Sequence, residues 1–94
     1  MTMMKYRVKF TSRFKKDRKR VKKRGYNLAL LEEVVRKLAY GELLESKYCD
    51  HQLHGKMNDF RECHIAPDWL LVYRIDAGEL VLWLMQTGSH SDIF

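Results

Sequence analysis

The chain has 94 residues, 46% of them hydrophobic and 32% charged, with a formal net charge of +6. That length fits one domain, residues 1–94, with a modest core, and no apolar run approaches the ~20 residues of a membrane-spanning helix. With no apolar leader in "MTMMKYRVKF", and with Cys49 and Cys63 too few for a disulfide framework, the expectation is a cytoplasmic protein with reduced thiols and no membrane partner.

Residues 4–10, "MKYRVKF", alternate as a strand, with Tyr6, Val8 and Phe10 on one face. Thr11 or Ser12 can cap a helix over "SRFKKDRKRVKKRG", which Gly25 stops. Its apolar stripe is narrow: Phe14 and Val21, with Asp17 or Arg18 between them. Residues 1–26 carry 12 of the 18 cations and one anion, Asp17. So dense a basic front half, joined to an acidic back half, points to a polyanionic partner. The competing reading is a merely solvated helix face.

Asn27 caps a second helix over "LALLEEVVRKLAYG", ended by Gly41. Leu28, Leu31, Val35 and Leu38 recur at helical spacing and mark a core face. Residues 42–57 read as a loop. Three strands follow at about 58–65, 69–75 and 80–87. Pro67 shapes the first connection, and "IDAGEL" is a hairpin turn in which Gly78 is expected to supply positive φ. The order β-α-α-β-β-β predicts an α+β fold: a mostly antiparallel sheet with both helices packed on one face. The other face is then left partly open for binding.

The four histidines, His51, His54, His64 and His90, all lie in the second half, and Asp68 follows directly on the turn after His64. Imidazoles exchange protons near neutral pH. Cleavage of RNA by its own 2′-hydroxyl needs one group to remove the 2′ proton, another to protonate the leaving 5′ oxygen, and a cation to steady the phosphate. Histidines with a carboxylate can fill the first two roles, although any one histidine, His54 above all, can equally be structural. A zinc site is the rival, from Cys49, His51, His54, Cys63 and His64. Its spacing matches no common zinc pattern, and strand alternation sends Cys63 and His64 to opposite faces. The same alternation argues against a Cys63–His64 nucleophile pair. Trp69 and Phe94 flank the constellation and could stack on bases; core packing is the equal alternative for Trp69. Trp83, Tyr6 and Tyr73 read as structural.

Three stretches in order, "DHQLHG", "FRECHIAPDWLLVYRI" and "TGSHSDIF", resemble the YafQ branch of the RelE-type bacterial toxins, and the order of elements agrees over nearly the whole chain. The resemblance implies a RelE-like microbial RNase fold. It implies an endoribonuclease that cuts mRNA in the ribosomal A site, blocking translation without metal or cofactor. It further implies a cognate DinJ-like antitoxin, the 70S ribosome with its rRNA and mRNA as targets, operator DNA reached only through the antitoxin, and a toxin–antitoxin heterotetramer. Carried over by motif, His51, His64, Asp68 and His90 match catalytic positions, and Trp69 and Phe94 match supporting ones. His90 is then the general acid, Asp68 or His51 takes the 2′ proton, and His64 holds the phosphate or orients the others. Lys15, Lys16, Lys19, Arg20, Lys22 and Lys23 would dock on rRNA. One departure stands out. Relatives often carry an arginine just before "TGSH", where this chain has Gln86. A neutral amide lacks the charged fork that braces a phosphate, so an attenuated toxin acting mainly as an RNA- or antitoxin-binding module is the alternative.

Overall fold

The alternation ending at Phe10 becomes β1, Arg7–Phe10, followed by α1, Ser12–Lys23, and α2, Leu28–Ala39, in a computed structural model that describes residues 3–55 and 59–94. A short 3₁₀ turn at Ser46–Tyr48 leads to β2, His51–Gln52. Then come β3, Arg61–Ala66, β4, Trp69–Asp76, β5, Val81–Gly88, and α3, His90–Ile93. The strands form a five-stranded sheet in the order β1-β5-β4-β3-β2. β1 runs parallel to β5, as the long connection through both helices and the three intervening strands allows; the other pairs are antiparallel.

The helix starts are built as their residues dictate. Thr11 Oγ1 accepts from Phe14 N at 3.0 Å and donates to Met85 O at 2.8 Å, so the cap of α1 is also stitched to β5. Asn27 Oδ1 accepts from Ala29 N at 3.1 Å. Gly25 and Gly41 end the two helices at φ +85° and +77°, a conformation cheap only for glycine. α1 buries Phe14, Asp17 and Val21, so Asp17 rather than Arg18 lies between the apolar positions. Phe14 and Val21, with Leu31, Val34 and Leu38 of α2, cover Cys63, Trp69, Leu71, Tyr73 and Leu82 of the sheet. Full burial of each large aliphatic side chain there contributes about 1.5–3 kcal/mol.

The structure corrects several expectations. Residues 42–57 are not all loop, since β2 pairs with β3 there; two residues are too few to show alternation. The third strand starts at Arg61, three residues after its expected start at residue 58, which lies outside the described residues. The chain after β5 is no plain tail: Ser89 and Asp92 form a reciprocal capping box that starts α3. In the β4–β5 hairpin the positive φ falls on Leu80, at 56°, and not on Gly78. Asp76 Oδ1 accepts from Glu79 N at 3.0 Å, bending the chain early and leaving the left-handed step to the last loop residue.

One irregularity positions the site. Val72 pairs with Gln86 but Tyr73 pairs with Leu84, so Met85 is the extra residue of a β-bulge. Straight alternation would send Gln86 to the helix side with Leu82 and Leu84. The bulge turns it to the open face and Thr87 inward.

Candidate active site

The open face carries the residues with chemistry. On β3, Glu62 and His64 point to it, opposite Val72 and Leu70 of β4. His51 of β2 pairs directly with Glu62. Asp68 lies in the turn before β4, and His90 is the first residue of α3. These elements bring three of the four histidines into a row: the ring centres of His51 and His64 are 6.5 Å apart, and those of His64 and His90 are 5.8 Å apart. His54 sits exposed in the loop after β2.

Asp68 and His90 form the tightest pair of the site. His90 Nδ1 lies 2.7 Å from Asp68 Oδ1, which also accepts from His90 N at 3.1 Å. The side-chain and backbone hydrogen bonds from His90 hold the Asp68 carboxyl below the usual carboxylate range. An acceptor-only carboxylate keeps a proton on His90 Nδ1 and leaves Nε2 outside that hydrogen bond. His51 is fixed differently. Its Nδ1 lies 2.7 Å from the carbonyl of Cys49, which only accepts, so Nδ1 donates and Nε2 faces the site.

Glu62 is the residue that sequence reading missed. It is buried at 5% exposure, with Oε1 at 3.6 Å from His51 Nε2 and 3.9 Å from His64 Nε2. Both separations exceed a hydrogen bond. Oε2 is buried with no hydrogen-bond partner among the described residues, and so is Oε1 of Gln86, on the far side of Val72 in the same cross-strand row. The alternation of "FRECHIA" places Glu62 with His64, and that signal was present in the sequence.

The remaining predicted residues divide. Trp69 lies in the core at 4% exposure, edge-on to Tyr26 at 5.0 Å, with Nε1 donating to Thr87 Oγ1 at 2.9 Å. It supports the end of β5 from beneath and presents no face for a base. Phe94 is 67% exposed at the end of α3. Lys15, Lys16, Lys19, Lys22 and Lys23 are exposed on α1. Arg20 instead turns inward to Asp17 and Asp92. Asp17 is fully buried, also paired with Arg13 Nε at 3.0 Å, and its Oδ2 accepts from Thr87 N at 3.1 Å.

The zinc set does not assemble. Cys63 belongs to the core on the helix side, while His64 faces the opposite way. Among the described residues no group of three or more His, Cys, Asp or Glu side chains is arranged to hold a metal ion. Burial, reinforced by Asp50 and Glu62, pushes the Cys63 thiol up to about 12, which leaves it inert as a nucleophile. Asp50, next to His51, is engaged structurally, accepting from Tyr73 Oη at 2.5 Å and Arg61 Nε at 3.3 Å.

The chain is thus a small α+β protein whose mostly antiparallel sheet carries histidines and a carboxylate on its open face, beside a lysine-rich helix. Residues 6–94 match the family described as bacterial toxin of type II toxin-antitoxin system, YafQ. The mRNA interferase toxin YafQ of Escherichia coli K12 is 30% identical over 88 residues, 93% of this chain and 94% of that protein. The crystal structure of a metal-bound toxin from Helicobacter pylori superposes with a TM-score of 0.88 at 46% identity, covering 98% of this chain and 100% of that one. YafQ in the crystal structure of the E. coli DinJ–YafQ toxin–antitoxin complex superposes at 0.87 with 27% identity, covering 97% and 99%. The chain belongs to the YafQ family of type II toxin–antitoxin toxins.

Proposed function

We propose that this chain is an mRNA interferase that cleaves messenger RNA in the ribosomal A site by acid–base chemistry of its own side chains. The observation that carries the reading is the Asp68–His90 pair, which engages Nδ1, leaves Nε2 outside that bond, and sets the His90 ring 5.8 Å from that of His64. His90, protonated on both ring nitrogens with its Nδ1–H held by Asp68, gives its Nε2 proton to the leaving 5′ oxygen as the P–O5′ bond breaks. His51 Nε2 accepts the proton of the 2′-hydroxyl as that oxygen attacks phosphorus, and the product is a 2′,3′-cyclic phosphate. Asp68, engaged with His90, orients the acid and is not the base. Glu62 steadies the imidazolium formed on His51 without occupying its nitrogen, since 3.6 Å is too long for a hydrogen bond. His64, between the two, holds the phosphate.

The exposed lysines of α1 dock the toxin on rRNA in the cytoplasm, and the ribosome aligns the message, which supplies much of the rate by positioning. An antitoxin resembling DinJ neutralises the toxin, in a heterotetramer that reaches operator DNA through the antitoxin. Its seat is the apolar groove of about 790 Å³ between β1, α1 and α2, floored by Phe10, Phe14 and Leu31. Lys15, Arg18 and Arg36 at its rim select an acidic amphipathic segment.

Expression without antitoxin tests the reading: the parent arrests growth and His90→Ala does not. Equal arrest by both removes His90 from the mechanism. A second reading, an attenuated toxin that mainly binds, rests on Gln86, whose amide replaces a cation at the phosphate. Absence of arrest with antitoxin binding intact favours it.

A further inference from the structure

α3 has four residues, too few to hold a helix by backbone hydrogen bonds alone, yet it carries His90. What fixes it comes from α1 and the C-cap residue that ends it, Arg24. Arg24 grips the Asp92 carboxylate with both terminal nitrogens, Nη1 to Oδ2 at 2.6 Å and Nη2 to Oδ1 at 3.1 Å. Arg20 Nη1 approaches Oδ1 at 3.5 Å, and Arg13 Nη2 donates to the Asp92 carbonyl at 3.1 Å. The same carboxylate accepts from Ser89 N at 2.8 Å, closing the capping box. Its side chain is only 10% exposed.

The fit is close. A Cβ on Gly88 would lie 2.7 Å from Asp92 Oδ2, so α3 folds tightly over the end of β5. Beneath it, Asp17 takes Arg13 and Arg20 on one oxygen and Thr87 N on the other. One helix thus anchors both the end of the strand and the short helix that follows it. Bidentate guanidinium–carboxylate pairing adds directional constraint that a lysine does not supply.

We propose that Asp92 and Arg24, assisted by Arg20 and Arg13, form a latch by which the basic helix holds His90 in line with Asp68, making Arg24 and Asp92 positioning residues for the acid. The kinetic arm of its test rests on the nuclease reading; the structural arm does not. Asp92→Asn keeps an oxygen for Ser89 N and loses the charge, while Arg24→Lys keeps the charge and loses the fork.

The test measures cleavage on mRNA-programmed ribosomes as a function of toxin concentration for the parent, Asp92→Asn, Arg24→Ala, Arg24→Lys and the Asp92→Asn/Arg24→Ala double variant. Exchange of the Phe94 amide, which donates to His90 O at 2.8 Å, is followed by NMR on the same folded proteins. Asp92→Asn and Arg24→Ala each lower the saturated rate by about tenfold to 10²-fold, as small displacements of a reacting group do. For Asp92→Asn the half-saturating concentration stays unchanged. The double variant is no slower than the slower single, Arg24→Lys recovers part of the rate, and Phe94 exchanges faster in Asp92→Asn. If these arginines were only phosphate contacts, Asp92→Asn would free them, and the half-saturating concentration would fall at constant rate. That result, a parent-like Asp92→Asn, or a double variant equal to the product of the singles overturns the latch. Should the parent itself not cleave, the nuclease reading falls, and unchanged Phe94 exchange in Asp92→Asn still overturns the latch.

Discussion

His90 Nδ1 lies 2.7 Å from Asp68 Oδ1, although the two residues are 22 positions apart and sit on different elements. In the proposed mechanism the pair sets which imidazole nitrogen meets the substrate. Asp68→Asn replaces the charged acceptor by a neutral amide that can rotate to donate, so the His90 Nδ1–H loses its fixed partner. Single-turnover cleavage on ribosomes is expected to fall about 10²-fold, less than in a buried triad because this pair is exposed. A loss smaller than threefold would show that the orientation does not matter.

Glu62 separates a nearby charge from a hydrogen-bonded one. Glu62→Gln keeps the volume and removes the charge that steadies the His51 imidazolium. Cleavage should drop roughly tenfold, at the low end of general-base effects. The protein should melt no lower, because a buried carboxylate oxygen without a partner is itself destabilising. A variant that melts lower but cleaves normally would make Glu62 structural.

Gln86 faces the open side only because of the bulge at Met85. Gln86→Arg puts a guanidinium where the phosphate is expected and should raise cleavage by about 10–10²-fold, judged from other transition-state donors. No gain in the same ribosome assay would mean that another cation already braces the phosphate.

The latch also predicts an acid limb of stability. Hydrogen bonds from Arg24 and then Ser89 N hold the Asp92 carboxyl well below the usual carboxylate range. A carboxyl depressed in the fold stabilises it above its unfolded pKa, near 3.9, and loses that contribution as pH falls through the depressed value. At pH 7 Asp92→Asn should therefore melt a few degrees below the parent, with the gap narrowing as pH falls below about 4. Thermal melts across that range check it; a constant gap contradicts it.

Phe10 is 48% exposed in the apolar groove. As an aromatic anchor for an antitoxin segment it should matter there and not at the open face. Phe10→Asp is expected to weaken antitoxin binding about 30-fold, typical of a hot-spot loss, with cleavage on ribosomes unchanged. Calorimetric titration with the antitoxin reads this directly.

Much of the fold was legible in the sequence because its signals are local. Thr11, Asn27, Gly25 and Gly41 mark helix ends by their own chemistry, and the Leu31–Leu38 spacing marks a core face. What escaped depends on pairing. β2 is defined by its partner on β3, and the bulge that turns Gln86 outward exists only in register with β4. The histidines were visible as types and through family motifs, but Asp17, Glu62 and Asp92 read as ordinary acids. Their roles follow from tertiary burial: Asp17 under Thr87, Glu62 between two imidazoles, Asp92 under Arg24. Trp69, open to either reading in the sequence, goes to the core because Thr87 and Tyr26 enclose it.

The central claim is that these side chains cut a message held by the ribosome. Mapping RNA 5′ ends on translating ribosomes, with parent and His90→Ala, tests it most directly. The account predicts new ends confined to the A-site codon with the parent, absent with His90→Ala, and rare on the same RNA free in solution. Equal cutting of free RNA, or ends that persist without His90, would contradict it.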